Sequence, residues 1–103
     1  MKIKRNSGYS EPTAKLYIDS HESIYSLSNE LIAQVKWVDQ KPTDEIIGYQ
    51  AWFIGENTEP FKVKFTDRIS LPPKFTKVKF QTLEACEVGN NVYFRAKGIE
   101  VQK

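Results

Sequence analysis

Hydrophobic and polar positions alternate most clearly in two short runs of this chain, Phe61–Phe65 and Thr76–Phe80. In a β-strand, successive side chains point to opposite faces of the sheet. The first run therefore places two phenylalanines and a valine on one face and two lysines on the other. The second run repeats the pattern with Val78 and Phe80 on the apolar side. Both runs predict strands with an apolar, aromatic inner face and a lysine-rich outer face.

Similar apolar runs predict further strands elsewhere in the chain. These predicted strands cover residues 15–18, 32–38, 46–54 and 92–97. The polar residues 39–45 predict a hairpin loop, and Gly89-Asn90-Asn91 predicts a turn because Gly and Asn accept positive φ. The apolar phase shifts after Gly98, which indicates a bulge or a bend. Residues 19–31 are ambiguous, and we expect a loop with at most one helical turn.

Five or six short strands with little helix predict an all-β fold. An oligonucleotide-binding (OB-like) barrel of five or six strands fits the length, and a small sandwich is the structural alternative. The 103 residues correspond to one domain. We expect the barrel over residues 15–103, preceded by residues 1–14 as a basic N-terminal arm or a short first strand.

The net charge of +2 conceals a strong asymmetry along the chain. Residues 16–60 carry eight acidic and two basic side chains, whereas residues 61–80 carry six basic side chains and one acidic one. A basic block of this kind is typical of a polyanion-binding surface. The alternative is that the lysines protect edge strands against aggregation.

Residue types that support catalysis or metal binding are scarce. His21 and Cys86 are the single histidine and the single cysteine, too few for the usual zinc sites. No Gly-rich phosphate loop is present. We expect Cys86 to be a small buried apolar residue and His21 to lie in a surface loop. The sequence therefore predicts no enzyme, no metal and no cofactor.

The pattern of apolar residues also predicts where in the cell the chain is located. No run of eighteen apolar residues predicts a membrane span, and the N-terminus has no signal-peptide pattern. A single cysteine provides no disulfide framework. We therefore expect a cytoplasmic protein without a membrane partner.

Basic and aromatic residues are interleaved on the predicted outer faces, as in grooves that bind single-stranded nucleic acid. Cations neutralise phosphates there, and exposed rings stack on bases. The candidate residues are Lys62, Lys64, Lys77, Lys79, Tyr93, Arg95, Lys97, Trp37 and Trp52. Tyr93 is the strongest ring candidate because Val92 and Phe94 occupy the core side. For both tryptophans the alternative is a core or interface position, and Tyr9, Tyr17 and Tyr49 are further ring candidates.

The second half of the chain resembles the small single-stranded-DNA-binding proteins of filamentous bacteriophages. The layout runs from Tyr49 through Pro60–Phe65, a proline loop, a short strand and a Gly-bearing turn to a closing strand. The resemblance implies an OB-like barrel, cooperative coating of single strands and a homodimer, and it carries roles over to Lys64, Arg95 and Lys97. The long DNA-binding hairpin of that family has at best a substitute in residues 32–54, whose loop is acidic.

A second resemblance covers residues 83–96, which are similar to small accessory proteins encoded on plasmids and conjugative elements of Gram-positive bacteria. It implies the handling of transferred single-stranded DNA. The sequence thus predicts a non-catalytic single-stranded-DNA-binding protein of low sequence specificity, serving replication or transfer of a mobile element, with RNA as an open alternative ligand. The rival hypothesis is a protein-interaction module that docks through a sheet edge or through the acidic residues 19–59.

Overall fold

The computed structural model describes residues 8–19 and 21–102. One short helix, α1, spans Glu11–Tyr17. Eight strands follow in chain order: β1 Ile24–Ser26, β2 Ile32–Val38, β3 Lys41–Gly55, β4 Phe61–Phe65, β5 Lys77–Gln81, β6 Glu84–Val88, β7 Asn91–Ala96 and β8 Gly98–Val101.

Helix α1 begins at a capping residue and packs against β6. The Ser10 side chain accepts a hydrogen bond from the Thr13 N–H at 3.3 Å, and Pro12 lies in the first turn, where its missing N–H costs nothing. The strand predicted at residues 15–18 is therefore wrong, because most of this segment is the last turn of the helix. The helix spans the expected boundary between residues 14 and 15, and Ala14 is buried in the core. Residues 1–7 of the predicted arm lie outside the described residues.

The strands pair in the order β6-β7-β4-β3-β1-β5-β8, and β2 pairs with β3 outside this path. Strands β4 and β7 run parallel. The other strand pairs are antiparallel. Strand β1 lies within the segment 19–31 that we expected to be a loop, and it is held between β3 and β5.

The prediction of an all-β fold with little helix is confirmed, since about 54% of the described residues are in strands. The predicted barrel of five or six strands is wrong in two respects. The sheet contains eight strands, and it is not closed. Among the described residues, β6 and β8 lie at the two ends of the pairing path and do not pair with each other.

Two bends explain part of the higher strand count. Thr82 has a positive φ of 53° and separates β5 from β6, while Lys97 separates β7 from β8. Strands β5 and β6 thus form one bent strand of a hairpin, residues 77–101, and β7 and β8 form the other. The Lys97 N–H donates to the Gln81 carbonyl at 2.9 Å, so both strands of this hairpin bend at the same level. The bend expected at Gly98 lies one residue earlier, at Lys97. The predicted turn before β7 lies at Gly89, with φ of 60°.

The core lies on the inner face of the sheet and is built around phenylalanine rings. Phe53 and Phe65 are fully buried, and the ring of Phe80 lies 4.9 Å from that of Phe53 in an edge-on arrangement. Phe61 and Phe94 join β4 to β7 with ring centres 5.3 Å apart. Such pairs add about 0.5–1.5 kcal/mol each beyond the burial of their area. The predicted inner face of β4 is therefore confirmed.

Strand β2 and the first half of β3 form a two-stranded arm, residues 32–48. This part of β3 pairs with β2, whereas residues 49–53 of the same strand also pair with β4. The turn of the arm consists of Asp39 and Gln40, both with positive φ, a conformation that matches the twist of a two-residue hairpin. The longer loop predicted at residues 39–45 is therefore wrong, since β3 already begins at Lys41.

Candidate nucleic-acid interface

The outer face of β3, β4 and β7 brings basic and aromatic side chains together in two rows. Trp52 lies opposite Lys62, and Gln50 lies opposite Lys64 across the β3–β4 pair. On the other side of β4, Lys64 lies beside Arg95 of β7. The alternation within each strand directs these side chains away from the phenylalanine core.

Tyr93 completes the first row. Val63 pairs with Phe94 in the parallel register of β4 and β7, so Tyr93 lies beside Lys62 on the outer face. The first row is therefore Trp52–Lys62–Tyr93 and the second is Gln50–Lys64–Arg95. Trp52 is 40% exposed and Tyr93 48% exposed, which leaves both rings accessible from solvent. The two rings belong to strands about 10 Å apart, with a lysine strand between them.

The lysines of β4 differ in their surroundings. Lys62 Nζ lies 5.6 Å from the centre of the Trp52 ring, a cation–π contact. Lys64 extends over Gly48 of β3, where a Cβ atom would lie 3.1 Å from Lys64 Cε. Within the described part of the chain, neither lysine forms an ion pair. Their positive charges are therefore available to an anionic ligand.

Gly48 also faces Gln34 of β2. A Cβ atom at Gly48 would lie 3.6 Å from Gln34 Oε1, the same region that the end of Lys64 occupies. Gln34 Oε1 is buried and has no hydrogen-bond partner among the described residues. A small residue at position 48 thus lets the lysine cross β3 toward an unused acceptor.

Arg95 is held by two neighbours. Its Nε donates to Glu84 Oε1 at 3.0 Å, and its guanidinium carbon lies 4.3 Å from the centre of the Tyr9 ring. Burial is the main cause that raises the pKa of Tyr9, with smaller contributions from Cys86 and Tyr93, and Arg95 opposes the shift. The phenol is therefore neutral at physiological pH and offers its ring face to the cation.

Tyr9 and Glu84 are the residues that sequence reasoning did not place in this site. Tyr9 was only a further ring candidate, 86 positions before Arg95 along the chain. Its position follows from the backbone bridge between Ser10 and Ala85. The sequence around either residue does not predict this bridge. The opposite charges of Glu84 and Arg95 predict an ion pair only once the register of β6 and β7 is known.

Lys77 and Lys79 do not extend the two rows. They lie on β5, and β3 and β1 separate β5 from β4, a distance of roughly 14 Å along the sheet. Lys79 lies opposite Glu100 of β8. Lys77 lies near Glu56, whose pKa is lowered mainly by hydrogen bonds from Ser23 and to a smaller degree by Lys77. Both lysines thus have acidic side chains nearby.

The remaining candidates lie at the margins. Lys97 is exposed at the bend between β7 and β8, beyond the end of the second row. Trp37 is 64% exposed near the end of the arm, opposite Pro42, so it is neither a core residue nor a neighbour of Trp52. The structure thus assembles five of the nine candidates on one face, and Trp37, Lys77, Lys79 and Lys97 lie apart from it.

Other surfaces offer little chemistry. A cavity of about 410 Å³ between α1 and β5 is lined by side chains of both signs, including Glu11, Lys15 and Glu22. Cys86 is buried and His21 is exposed in a turn, as expected. Residues 8–19 and 21–102 contain no group of three His, Cys, Asp or Glu side chains arranged to hold a metal ion. Within the same ranges, no helix has the length and apolarity needed to cross a membrane.

Comparison with known proteins gives no independent assignment: no family model, no curated protein and no solved structure matches the chain. The function is therefore inferred from the geometry of the two rows.

Proposed function

We propose that this protein binds single-stranded DNA without catalysis and with low sequence preference, in the replication or transfer of a mobile element. The observation that carries the proposal is the row Trp52–Lys62–Tyr93, in which a lysine separates two exposed rings. Lys64 and Arg95 lie in the adjacent row. A cytoplasmic location stays a prediction.

The chemistry of the two rows suits an unpaired strand. Bases that are free of a duplex stack on exposed rings at roughly 1–3 kcal/mol per base, and this stacking does not read sequence. Lys62 and Lys64 neutralise phosphates and release their counterions. A duplex keeps its bases stacked inside and offers the rings nothing to pack against, so the arrangement favours single strands.

The comparison with OB-like folds stays part of this proposal. The OB fold is a five-stranded, partly open Greek-key barrel. If each bent strand of the hairpin 77–101 is counted once, five strands accompany the arm strand β2: β1, β3, β4, β5 with β6, and β7 with β8. In OB folds the binding surface includes the second and third strands. The proposed surface also uses two adjacent strands in the middle of the sheet, β3 and β4.

Titration with oligo-dT tests the proposed function. We expect quenching of tryptophan fluorescence at low salt, an affinity that falls steeply as salt rises, and weaker binding of a duplex of equal length. Titration with an RNA oligonucleotide of the same length shows whether the affinity depends on the sugar. Absence of binding to oligo-dT at low salt would contradict the proposal.

A second candidate function is a protein-interaction module. It is favoured by the exposed apolar side chains of the arm, above all Trp37 and Ile46. In that case the lysines of β4 only keep the sheet soluble. A partner that co-purifies after nuclease treatment, together with flat oligonucleotide titrations, would favour this function over DNA binding.

A further inference from the structure

Within the part of the chain that the structure describes, strand β2 has a free edge. It pairs with β3 on one side, and among the described residues it has no partner on the other. The Lys36 carbonyl accepts a hydrogen bond from Thr43 Oγ1 of β3 at 2.6 Å, so the backbone of Lys36 faces β3. Neighbouring residues of a strand direct their N–H and C=O groups to opposite sides. Ala33, Val35 and Trp37 therefore present theirs to the free edge.

This edge is long and poorly protected. Natural edge strands are commonly blunted by proline, bulges or several charged residues. In β2 the single charged residue is Lys36, and proline is absent from its seven residues. The register shifts between β2 and β3 skip residues of β3, so the alternation along β2 stays regular. The edge is therefore ready to pair with another strand.

We propose that β2 pairs antiparallel with β2 of a second copy of this chain, about a twofold axis at Val35. The axis pairs Val35 with itself and Ala33 with Trp37 of the partner. By symmetry, Trp37 also pairs with Ala33 of the partner, which makes three pairs. Each pair exchanges two backbone hydrogen bonds, six in all, because the N–H and C=O groups of the odd-numbered residues face the edge. The side chains of odd-numbered residues of β2 then lie on the same face of the sheet in both copies.

The side chains of β2 are complementary to themselves in this register. On one face, the large Trp37 lies beside the small Ala33 of the partner. On the other face, Ile32 lies opposite Val38 and Lys36 lies opposite Gln34. Each lysine keeps its own counterion, since Lys36 Nζ lies 3.8 Å from Glu45 Oε2. No like charges are therefore placed directly opposite each other, a condition for a stable strand pair.

The size of the contact predicts a weak dimer. The strand is about 23 Å long, and the edge with its exposed apolar side chains offers on the order of 500 Å² per copy. Specific stable interfaces bury roughly 800 Å² per partner. We therefore expect association that depends on protein concentration. A twofold axis normal to the sheet keeps like faces on one side; if the proposed function holds, the Lys62–Lys64 surfaces of both copies face the same way.

Sedimentation without DNA tests the pairing separately from the proposed function. Trp37→Lys should weaken the dimer at least tenfold, whereas Val101→Lys should not. Val101 is the matched control because it is 59% exposed on the edge strand β8 and undergoes the same change of charge. Both side chains are exposed, so we expect both variants to fold. Unchanged far-UV circular dichroism and an unchanged melting temperature check this.

Cysteine cross-linking tests the position of the axis, in a chain that carries Cys86→Ala. Hydrogen-bonded partners lie about 5.5 Å apart between Cα atoms, within the range of disulfides. Val35→Cys should therefore form a disulfide-linked dimer with oxidised glutathione as the oxidant. Ala33→Cys should not, because its mate lies four residues along the partner strand, about 13 Å away.

Three outcomes would overturn the pairing. The first is a full chain that stays monomeric to about 1 mM. The second is a dimer that Trp37→Lys leaves unchanged or that cross-links equally at positions 33 and 35. The third is a chain that dimerises only after removal of residues 1–7, which would assign the edge to its own N-terminal segment. Each result is independent of whether the protein binds oligo-dT.

Discussion

Lys62 Nζ lies 5.6 Å from the centre of the Trp52 ring, and the two residues are direct partners in the β3–β4 register. In the unbound protein the cation therefore covers part of the ring that we expect a base to occupy. We expect a nucleotide that stacks on Trp52 to displace the ammonium group, which would then be available to the adjacent phosphate. Ring and cation are thus expected to act together.

The double variant Lys62→Gln/Lys64→Gln should weaken binding to oligo-dT and lower its salt dependence. Each phosphate contact on a single strand contributes about 0.7 to the slope of log K against log salt, so two lost contacts lower the slope by about 1.4. Lys77→Gln/Lys79→Gln is the matched control, with the same change of charge on β5, beyond β3 and β1. Equal losses in both variants would contradict a site on β3, β4 and β7.

Trp52→Ala should cost about 1–3 kcal/mol of binding free energy if one base stacks on the ring. Fluorescence separates the two tryptophans. In the Trp37→Phe protein, oligo-dT should quench the fluorescence of Trp52, the remaining tryptophan. In the Trp52→Phe protein, Trp37 lies on the arm and should respond little. A stronger response of Trp37 would move the binding surface from the sheet to the arm.

Glu84→Gln should increase affinity for oligo-dT. The carboxylate holds Arg95 at 3.0 Å and repels phosphate, and a half-exposed ion pair of this kind is worth about 0.2–1 kcal/mol. Its removal releases the guanidinium, so we expect roughly a one-and-a-half- to fivefold gain. Glu100→Gln, with the same change of charge on β8, is the control. A similar gain in that variant would assign the effect to net charge alone.

Gly48→Ala should reduce stability and disturb Lys64. The added Cβ would lie 3.1 Å from Lys64 Cε and 3.1 Å from the Phe65 carbonyl oxygen, and the backbone atom has little freedom to move. Overpacking of this kind typically costs about 1–3 kcal/mol. Urea unfolding measures the loss, with Gly8→Ala as control because nothing lies within 4 Å of its added Cβ. A neutral Gly48→Ala variant would mean that β3 and β4 separate easily.

Acid should weaken the contact between Ser23 and Glu56. The Ser23 N–H donates to Glu56 Oε1 at 3.1 Å, and the Ser23 hydrogen bonds hold the pKa of Glu56 below its usual 4.5. A lowered folded-state pKa stabilises the fold above the unfolded value, and this contribution is lost as pH falls through the folded value. Below pH 4.5, unfolding free energy should therefore fall more steeply in the wild type than in Glu56→Gln. An equal slope in the wild type and in Glu56→Gln would contradict a stabilising contact between Ser23 and Glu56.

The sequence predicted which face of a strand is buried better than it predicted which strands are adjacent. Alternation in Phe61–Phe65 assigned Val63 and Phe65 to the core, where both are fully buried, and assigned Lys62 to the exposed face. Alternation carries no information on which strands are adjacent, because that depends on contacts between distant segments. Hence the position of β5, three strands away from β4, was not predictable from its similar pattern.

Short elements were missed where tertiary contacts outweigh local preference. Ile24 and Leu27 have helical spacing, yet Ile24 lies in a three-residue strand because β3 and β5 supply its hydrogen bonds on both sides. Residues 15–18 have strand-like composition, but the Ser10 cap and Pro12 start a helix that runs into them. The ring of Tyr9 on Arg95 likewise depends on a bridge to β6.

The bent hairpin 77–101 has a consequence for how the chain folds. Its β5 end completes the pairing of β1, while its β7 strand supplies the second neighbour of β4, thirty-one positions after Val63. Neither side of the sheet is complete until this hairpin docks, and docking must meet the entropy of closing long loops. Folding should therefore take place on the millisecond-to-second scale, and Tyr93 and Arg95 join Lys62 and Lys64 only when this hairpin docks.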